Sequence, residues 1–173
     1  MLDIERNPEG PIAMDDKAIS EFKKLVSNLM RARFPFLYIQ TWEEERALSV
    51  LRSVAADESL IKTPRKVFTW SLTDGLAEDG HKGTDDSKNP VRCLEFIEGY
   101  DAPAIFILKD FHFCFGCGGR VADPIAIRKV RDLVPALKQS ASPKNVILVS
   151  PTLLLPTDLE KDVTIVDFDL PSF

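Results

Sequence analysis

The chain has 173 residues and a formal net charge of −5, with 45% apolar and 28% charged residues. This is the composition of one globular domain with its own core. An acidic chain without a basic run is a poor binder of nucleic acid or anionic membranes, and no apolar run approaches the ~20 residues that cross a bilayer. The first residues lack the basic and apolar regions of a signal peptide. Three cysteines are too few for a disulfide scaffold, so we expect reduced thiols and a cytoplasmic location.

The first part of the chain predicts a lead-in, a helix and a buried strand. Residues 1–16 have the composition of a turn and a tail, and we expect a flexible lead-in there. Apolar side chains recur at helical spacing over residues 19–30. Phe34–Thr41 is a nearly continuous apolar run, which is typical of a strand buried on both faces. Thr41 and Glu44 then match the T-x-x-E capping box that begins a second helix.

Strands and helices alternate along the rest of the chain. Residues 73–89 are polar and rich in Gly and Asp, and we expect a solvated, mobile loop there. A second irregular stretch covers residues 111–123. Further strands are predicted at Lys66–Trp70, Ala104–Leu108, Asn145–Ser150 and Thr164–Phe168. Further helices are predicted after the cap-and-proline pairs Asn89-Pro90 and Asp123-Pro124, with a short helical turn from Thr157.

Uniformly apolar strands that alternate with helices indicate a parallel sheet covered on both faces. We therefore expect a three-layer α/β sandwich of about five mostly parallel strands, formed by residues 17–173 as a single domain. Trp42 and Trp70 lie at the ends of the first two strands, and we expect them to be neighbours at that rim of the sheet. Ligands of such sheets bind beyond the carboxyl ends of the strands, so the residues that follow each strand are the candidates for a site.

The turn after the first strand, residues 41–46, reads TWEEER. A phosphate-binding turn would be rich in Gly and end in Lys-Ser or Lys-Thr, so that backbone N–H groups and the helix N-terminus surround the anion. This turn has neither Gly nor Lys, and the carboxylates of Glu43, Glu44 and Glu45 would repel a phosphate. No G-x-x-x-x-G-K-[ST] occurs in the chain. The turn has two interpretations. It belongs either to a nucleotide-binding fold that has lost its nucleotide or to an ordinary helix start in an unrelated α/β domain. The local residues alone favour the second interpretation.

Asp110 follows the third strand, where enzymes of the P-loop type carry a carboxylate that positions magnesium. Those that hydrolyse ATP usually carry Glu next, and this chain has Phe111. Without a phosphate-binding turn there is no triphosphate for a metal to bridge. We therefore interpret Asp110 as a loop cap. Together with Ser150, at the end of the fourth strand, it is also the candidate for a non-standard polar site.

His112-x-Cys114-x-x-Cys117 has the composition of a metal or redox motif. A structural zinc site needs four ligands, and only Cys93 or His81 could complete this set. A redox C-x-x-C would lie at a helix N-terminus, whereas the next predicted helix begins well after Cys117. The spacing favours a Gly-rich turn with incidental thiols. No Ser-His-Asp or Cys-His catalytic pattern is present, and two histidines in predicted loops do not favour general base catalysis.

Three ordered groups of motifs resemble a known family over residues 19–171, nearly the whole chain. They are RARFPFLYI at 31–39 with TWEEER at 41–46; LEFI at 94–97 with AIFILKDFH at 104–112; and VILVSP at 146–151 with LP at 155–156, LEKD at 159–162 and DFDLP at 167–171. Together they resemble the N-terminal region of a family of AAA+ ATPases of cyanobacteria, plastid genomes and other bacteria, known mainly as a conserved chloroplast reading frame.

The resemblance implies a degenerate P-loop NTPase domain of RecA- or AAA-like topology, without a Walker A sequence. The turn Thr41, Trp42, Glu43, Glu44, Glu45 would be the Walker A equivalent, Asp110 the Walker-B-like residue and Ser150 the sensor-like residue, all inactive. A complete AAA+ module with the ATP and magnesium site would follow, so the chain is expected to be a fragment or a free-standing version with no cofactor of its own. The loop with Cys114 and Cys117 is longer than the turn in the family. A regulatory role in photosynthesis or carbon uptake has been suggested for photosynthetic members.

The function that the resemblance implies is a non-catalytic regulatory or assembly domain. It would contact its own AAA+ module or ring neighbours, in the cytoplasm or the plastid stroma, and neither nucleic acid nor membrane; only the full-length parent would hydrolyse ATP. Two alternatives stay open. One is a small nucleotide-binding or hydrolytic α/β enzyme with a site at Asp110 and Ser150. The other is a zinc- or redox-responsive adaptor that uses Cys114 and Cys117.

Overall fold

The computed structural model of the protein describes residues 11–168. Its six strands are β1 Phe36–Gln40, β2 Lys66–Ser71, β3 Gly75–Glu78, β4 Ala104–Lys109, β5 Lys144–Ser150 and β6 Val163–Asp167. Its four α-helices are α1 Pro11–Arg31, α2 Glu44–Ala56, α3 Pro90–Gly99 and α4 Pro124–Gln139, and 3-10 turns cover Asp86–Lys88, Phe111–Phe115 and Thr157–Leu159.

The strands form a single sheet in the order β3-β2-β4-β5-β1-β6. All neighbouring pairs are parallel except β2 and β3, so the five predicted strands form the parallel part of the sheet. Side chains of α1 and α2 share one apolar cluster with one face of the sheet, and those of α3 and α4 share a second cluster with the other face. The predicted three-layer α/β fold is confirmed, and the sheet has one strand more than expected.

The uniformly apolar strands are explained by burial on both faces. In β1, Phe36 and Tyr38 belong to the cluster on the α3 and α4 side, whereas Leu37 and Ile39 belong to the cluster on the α1 and α2 side. Because successive side chains of a strand point to opposite faces, a central strand of this sheet needs apolar residues at every position.

The predicted cap-and-proline starts of α3 and α4 are confirmed. The Asn89 side chain accepts the N–H groups of Val91 and Arg92, and the Asp123 side chain accepts those of Ile125 and Ala126. A proline occupies the first turn of each helix, where its missing N–H costs nothing.

The helix α1 begins earlier than the sequence predicts. Residues 11–16 belong to α1, although their composition predicts a flexible lead-in. Pro11 is the first residue of the helix, a position for which the fixed φ of proline is pre-organised. The prediction for residues 1–10 lies outside the described residues.

The prediction of a structureless loop over residues 73–89 is wrong. β3 pairs antiparallel with β2 within it, and a 3-10 turn follows. The indole N–H of Trp70 donates to the Ser87 carbonyl at 2.8 Å, and the Ser87 hydroxyl accepts the Leu76 N–H at 2.9 Å. A strand of four residues with one large buried side chain, Leu76, is too short to show an apolar alternation in a polar sequence.

Gly75→Ala tests this packing, with Gly80→Ala as its matched control. Both glycines have positive φ, +74° and +84°. A Cβ at Gly75 would lie 2.4 Å from the Ser87 hydroxyl and 2.8 Å from the Thr84 carbonyl, whereas a Cβ at Gly80 meets nothing within 4 Å. We expect G75A to lower the free energy of unfolding in urea by about 2–3 kcal/mol and G80A by about 1 kcal/mol. Equal losses would contradict the close approach of β3 to Ser87.

Candidate functional site

The strand order places a topological switch point at the carboxyl ends of β1 and β5. The chain leaves β1 into α2 on one face of the sheet, and it leaves β5 towards Leu159 in the cluster on the opposite face. Ligands of open α/β sheets bind in the crevice at such a point. The structure brings three sequence-predicted residues together there. The Thr41 N–H donates to the Ser150 carbonyl at 2.9 Å, and the Asp110 N–H donates to the Val149 carbonyl at 3.0 Å.

The turn from β1 into α2 has no capping box. Thr41 continues the pairing with β5, and its hydroxyl accepts the Glu43 N–H at 3.0 Å. The helix begins at Glu44, after an N-cap residue, Glu43, whose side chain makes no capping hydrogen bond. The prediction of a capping box between Thr41 and Glu44 is therefore wrong. Because the backbone of Thr41 still pairs with β5, its hydroxyl stabilises the turn before α2 and does not cap the helix.

An ion pair closes the α2 side of the switch point. The Glu44 carboxylate lies 3.1 Å from the Lys109 ammonium, and both side chains are partly buried. Lys109 ends β4 and Glu44 follows β1, so the pair crosses the end of β5, a span of two strand spacings or ~10 Å. Glu44 and Glu45 occupy the first turn of α2, where their charges complement the positive end of the helix dipole.

Lys109 is the residue of this candidate site that the sequence does not predict. It stands directly before Asp110, and its role depends on which strand lies between β4 and β1. The one signal in the sequence is a Lys at the end of an otherwise apolar strand.

A hydroxyl network closes the opposite side of the switch point. The Tyr38 hydroxyl donates to the Thr152 carbonyl at 2.6 Å, lies 2.9 Å from the Ser150 hydroxyl and accepts the Leu154 N–H at 3.4 Å. The Ser150 hydroxyl also lies 2.6 Å from the Thr152 carbonyl. Burial raises the pKa of the Tyr38 hydroxyl. Ser150 is thus a member of an internal network instead of a free polar group at the rim.

Asp110 has a left-handed backbone, with φ 54° and ψ 28°. It is one of two non-glycine residues of the described chain with positive φ, a conformation that costs about 1–3 kcal/mol. It precedes the 3-10 turn Phe111–Phe115, but its side chain makes no capping hydrogen bond, and only its carbonyl accepts the Phe113 N–H at 3.2 Å. The interpretation of the Asp110 carboxylate as a loop cap is therefore wrong.

The residues of the His-x-Cys-x-x-Cys stretch differ in burial. His112 is 4% exposed and stacks on Phe113 with ring centroids 4.4 Å apart, Cys114 is buried, and Cys117 is partly exposed. Within residues 11–168, no group of three or more His, Cys, Asp or Glu is placed to hold a metal ion. The predicted fourth ligands do not change this: Cys93 is buried and His81 is exposed.

Burial also makes the thiols of Cys93 and Cys114 less reactive. It raises the pKa of Cys114 to about 11 and raises that of Cys93 further. Thiols with raised pKa values are poor nucleophiles at neutral pH. All three cysteines are free.

The two tryptophans are not neighbours. Trp42 is 86% exposed, whereas Trp70 is 1% exposed and packs at a ring-centroid distance of 5.5 Å on Phe111. Trp42 follows β1 and Trp70 lies in β2, and β4 and β5 separate these two strands. The prediction that they meet at the rim is wrong, because sequence order does not give the order of strands in the sheet.

A pocket of about 360 Å³ lies beside the switch point, at the ends of β2 and β3. Its lining includes Trp70, Asp74, Lys82, Lys88 and Lys109. Neither Asp110 nor Ser150 lines it. The residues predicted for a non-standard polar site therefore do not open into this cavity.

The chain belongs to the family of SpoVK-like AAA ATPase N-terminal domains, whose family model matches residues 22–168. It is 32% identical over 157 residues to the uncharacterized AAA domain-containing protein ycf46 of Guillardia theta. The aligned region covers 90% of this chain and 29% of that relative. The protein of the same name from Trieres chinensis is 31% identical over 147 residues, 83% of this chain and 27% of the relative. The resemblance inferred from the motifs is confirmed.

The chain spans less than a third of the length of the curated relatives it matches. No solved structure gives a significant match. Over the part of the chain that the structure describes, no helix combines the length and the apolar character needed to cross a membrane.

His112 predicts an acid-dependent loss of stability. Burial lowers the pKa of its imidazole below 6.5, and the nearby Asp110 charge opposes this only in part. Because the unfolded chain then binds the proton at higher pH than the folded chain, the stability is present above about pH 6.5 and is lost as the pH falls below it. We expect His112→Phe to flatten the urea midpoint between pH 7.5 and 5.5, compared with wild type. His81→Gln, at an exposed histidine, should leave the wild-type slope unchanged; the same slope in both variants would contradict the assignment.

Proposed function

We propose that this chain is a non-catalytic regulatory or assembly domain of an AAA ATPase and that it does not bind MgATP. The observation that carries the proposal is the Glu44–Lys109 ion pair over the end of β5. In a nucleotide-binding fold of this kind, the start of the helix after β1 is the place for phosphate. In this chain the Glu44 carboxylate lies at that start, and Lys109, the cation at the end of β4, is paired with it.

Charge and backbone chemistry both oppose a phosphate at this position. The turn of residues 41–46 has no Gly, so it lacks the residue type that lets backbone N–H groups converge on an anion. Two like charges 4 Å apart repel each other by about 4 kcal/mol at the effective dielectric of a protein surface. Glu45, in the first turn of α2, would oppose a bound phosphate by repulsion of this kind.

The contact surface that we propose lies at the same edge of the sheet. Trp42 is 86% exposed and Leu153, which follows β5, is 40% exposed. Exposed aromatic side chains are enriched at protein interfaces. We infer that this edge contacts the AAA module of the full-length protein or a neighbouring subunit, that ATP and magnesium bind only in that module, and that the protein acts in the cytoplasm or the plastid stroma.

The two alternatives have less support. An enzyme site at Asp110 and Ser150 would need a free Ser150 hydroxyl, and that hydroxyl is engaged with Tyr38 and Thr152. A redox adaptor would need a reactive thiol, and burial raises the pKa of Cys114.

Calorimetric titration of the chain with MgATP tests the proposal. We expect no saturable heat up to about 1 mM nucleotide, the upper end of the usual range for enzyme substrates. A P-loop ATPase of known affinity, titrated in parallel, shows that the nucleotide and magnesium are competent. Saturable binding in the micromolar range would contradict the proposal. If Asp110→Asn and Ser150→Ala also removed that binding, whereas Asp132→Asn on α4 did not, the enzyme alternative would replace it.

A further inference from the structure

The amino-terminal edge of the sheet contains a buried arginine without an acidic partner. Arg65 directly precedes β2 and is 8% exposed. Its Nη1 donates to the Asn145 side-chain oxygen on β5, which the Asn145 amide orients by donating to the Phe34 carbonyl at 2.6 Å. Its Nε is buried and has no hydrogen-bond partner. No carboxylate pairs with Arg65 within the described range.

The surroundings of Arg65 disfavour its positive charge and do not neutralise it. Burial lowers the pKa of the Arg65 guanidinium to about 10, and the nearby Arg33 charge lowers it in the same direction. At neutral pH Arg65 still carries its charge. A buried ion without a counter-ion is destabilising, and arginine in protein interiors is normally paired.

Arg33 occupies a backbone position that usually requires glycine. It follows α1 with φ 58°, its N–H donates to the Met30 carbonyl at 3.1 Å, and the Phe34 N–H donates to the Leu29 carbonyl at 3.0 Å. These two bonds define a Schellman motif, in which Gly is the preferred left-handed residue. Gly would end the helix at a lower conformational cost than Arg. The helix end alone therefore does not explain why Arg33 occupies this position.

The Arg33 side chain is exposed and only partly engaged. One of its terminal nitrogens donates to the Ser140 carbonyl at 2.8 Å. Arginine presents five N–H donors, so Arg33 keeps donors for a further acceptor.

The ends of α1 and α2 contribute to the site without completing it. Both helices end at this edge, and the Arg65 N–H donates to the Ala55 carbonyl of α2 at 3.3 Å. The negative ends of helix dipoles stabilise nearby cations. They leave the Arg65 Nε without an acceptor, however, and they do not separate two like charges.

We propose that Arg33 and Arg65 form a binding site for an oxyanion, a carboxylate or a phosphate group, at the amino-terminal edge of the sheet. The planar fork of a guanidinium matches both groups with two parallel hydrogen bonds. An anion there would accept from Nε of Arg65 and from the free donors of Arg33, and its negative charge would offset the repulsion between the two guanidinium groups. The site lies at the edge of the sheet opposite the Glu44–Lys109 pair, and it does not depend on the proposed function.

Thermal unfolding of the whole chain in phosphate, acetate or chloride at matched ionic strength and pH tests the site. Binding predicts a saturable rise of the midpoint over chloride of about 3–6 °C at ten times the Kd of the anion. Arg65→Met and Arg33→Gly should each abolish this rise. Arg128→Met, at an exposed arginine of α4, is the matched control and should keep it.

The variants also separate loss of binding from loss of folding. Arg33→Gly relieves the positive φ, so its midpoint in chloride should equal or exceed that of wild type. It therefore decides the question even if Arg65→Met folds poorly. A rise with phosphate alone identifies a phosphate ligand, and a rise with acetate identifies a carboxylate. No rise over chloride with either anion, or a rise that survives in Arg33→Gly, would overturn the proposal.

Discussion

The Glu44–Lys109 ion pair is the interaction on which the character of this domain depends. It connects the first turn of α2 to the end of β4 across the end of β5. Sheets of this topology bind their ligands in the crevice at this point. On the other face the Tyr38 hydroxyl ties the end of β1 to the segment after β5. The strand ends are thus engaged by the protein's own groups, which is the arrangement on which the proposed non-catalytic role rests.

The sequence predicts those features that depend on neighbouring residues. Apolar runs indicate the central strands because both faces are buried, and the Asn89 and Asp123 caps act over two or three residues. The short strand β3 is not predicted, because its polar sequence shows little periodicity. The separation of Trp42 from Trp70 and the pairing of Lys109 with Glu44 depend on strand order, which local patterns do not encode.

The two edges of the sheet differ in their electrostatics. At the carboxyl edge, the Glu44 carboxylate pairs with the Lys109 ammonium, and Glu44 and Glu45 lie at the N-terminus of α2. At the amino edge, Arg65 is buried near Arg33, and its Nε has no hydrogen-bond partner. No carboxylate of the described residues pairs with Arg65. An acidic group bound at the amino edge would stabilise the domain, as proposed above.

A double-mutant cycle on Glu44 and Lys109 measures the central interaction most directly. The free energies of unfolding of wild type, Glu44→Gln, Lys109→Met and the double variant would be compared in urea at low and high salt. We expect a favourable coupling energy of about 0.5–1 kcal/mol that decreases with salt, since the pair is only partly shielded from water. A coupling energy of zero at low salt would show that the carboxylate and the ammonium do not hold the switch point closed, and would contradict the account.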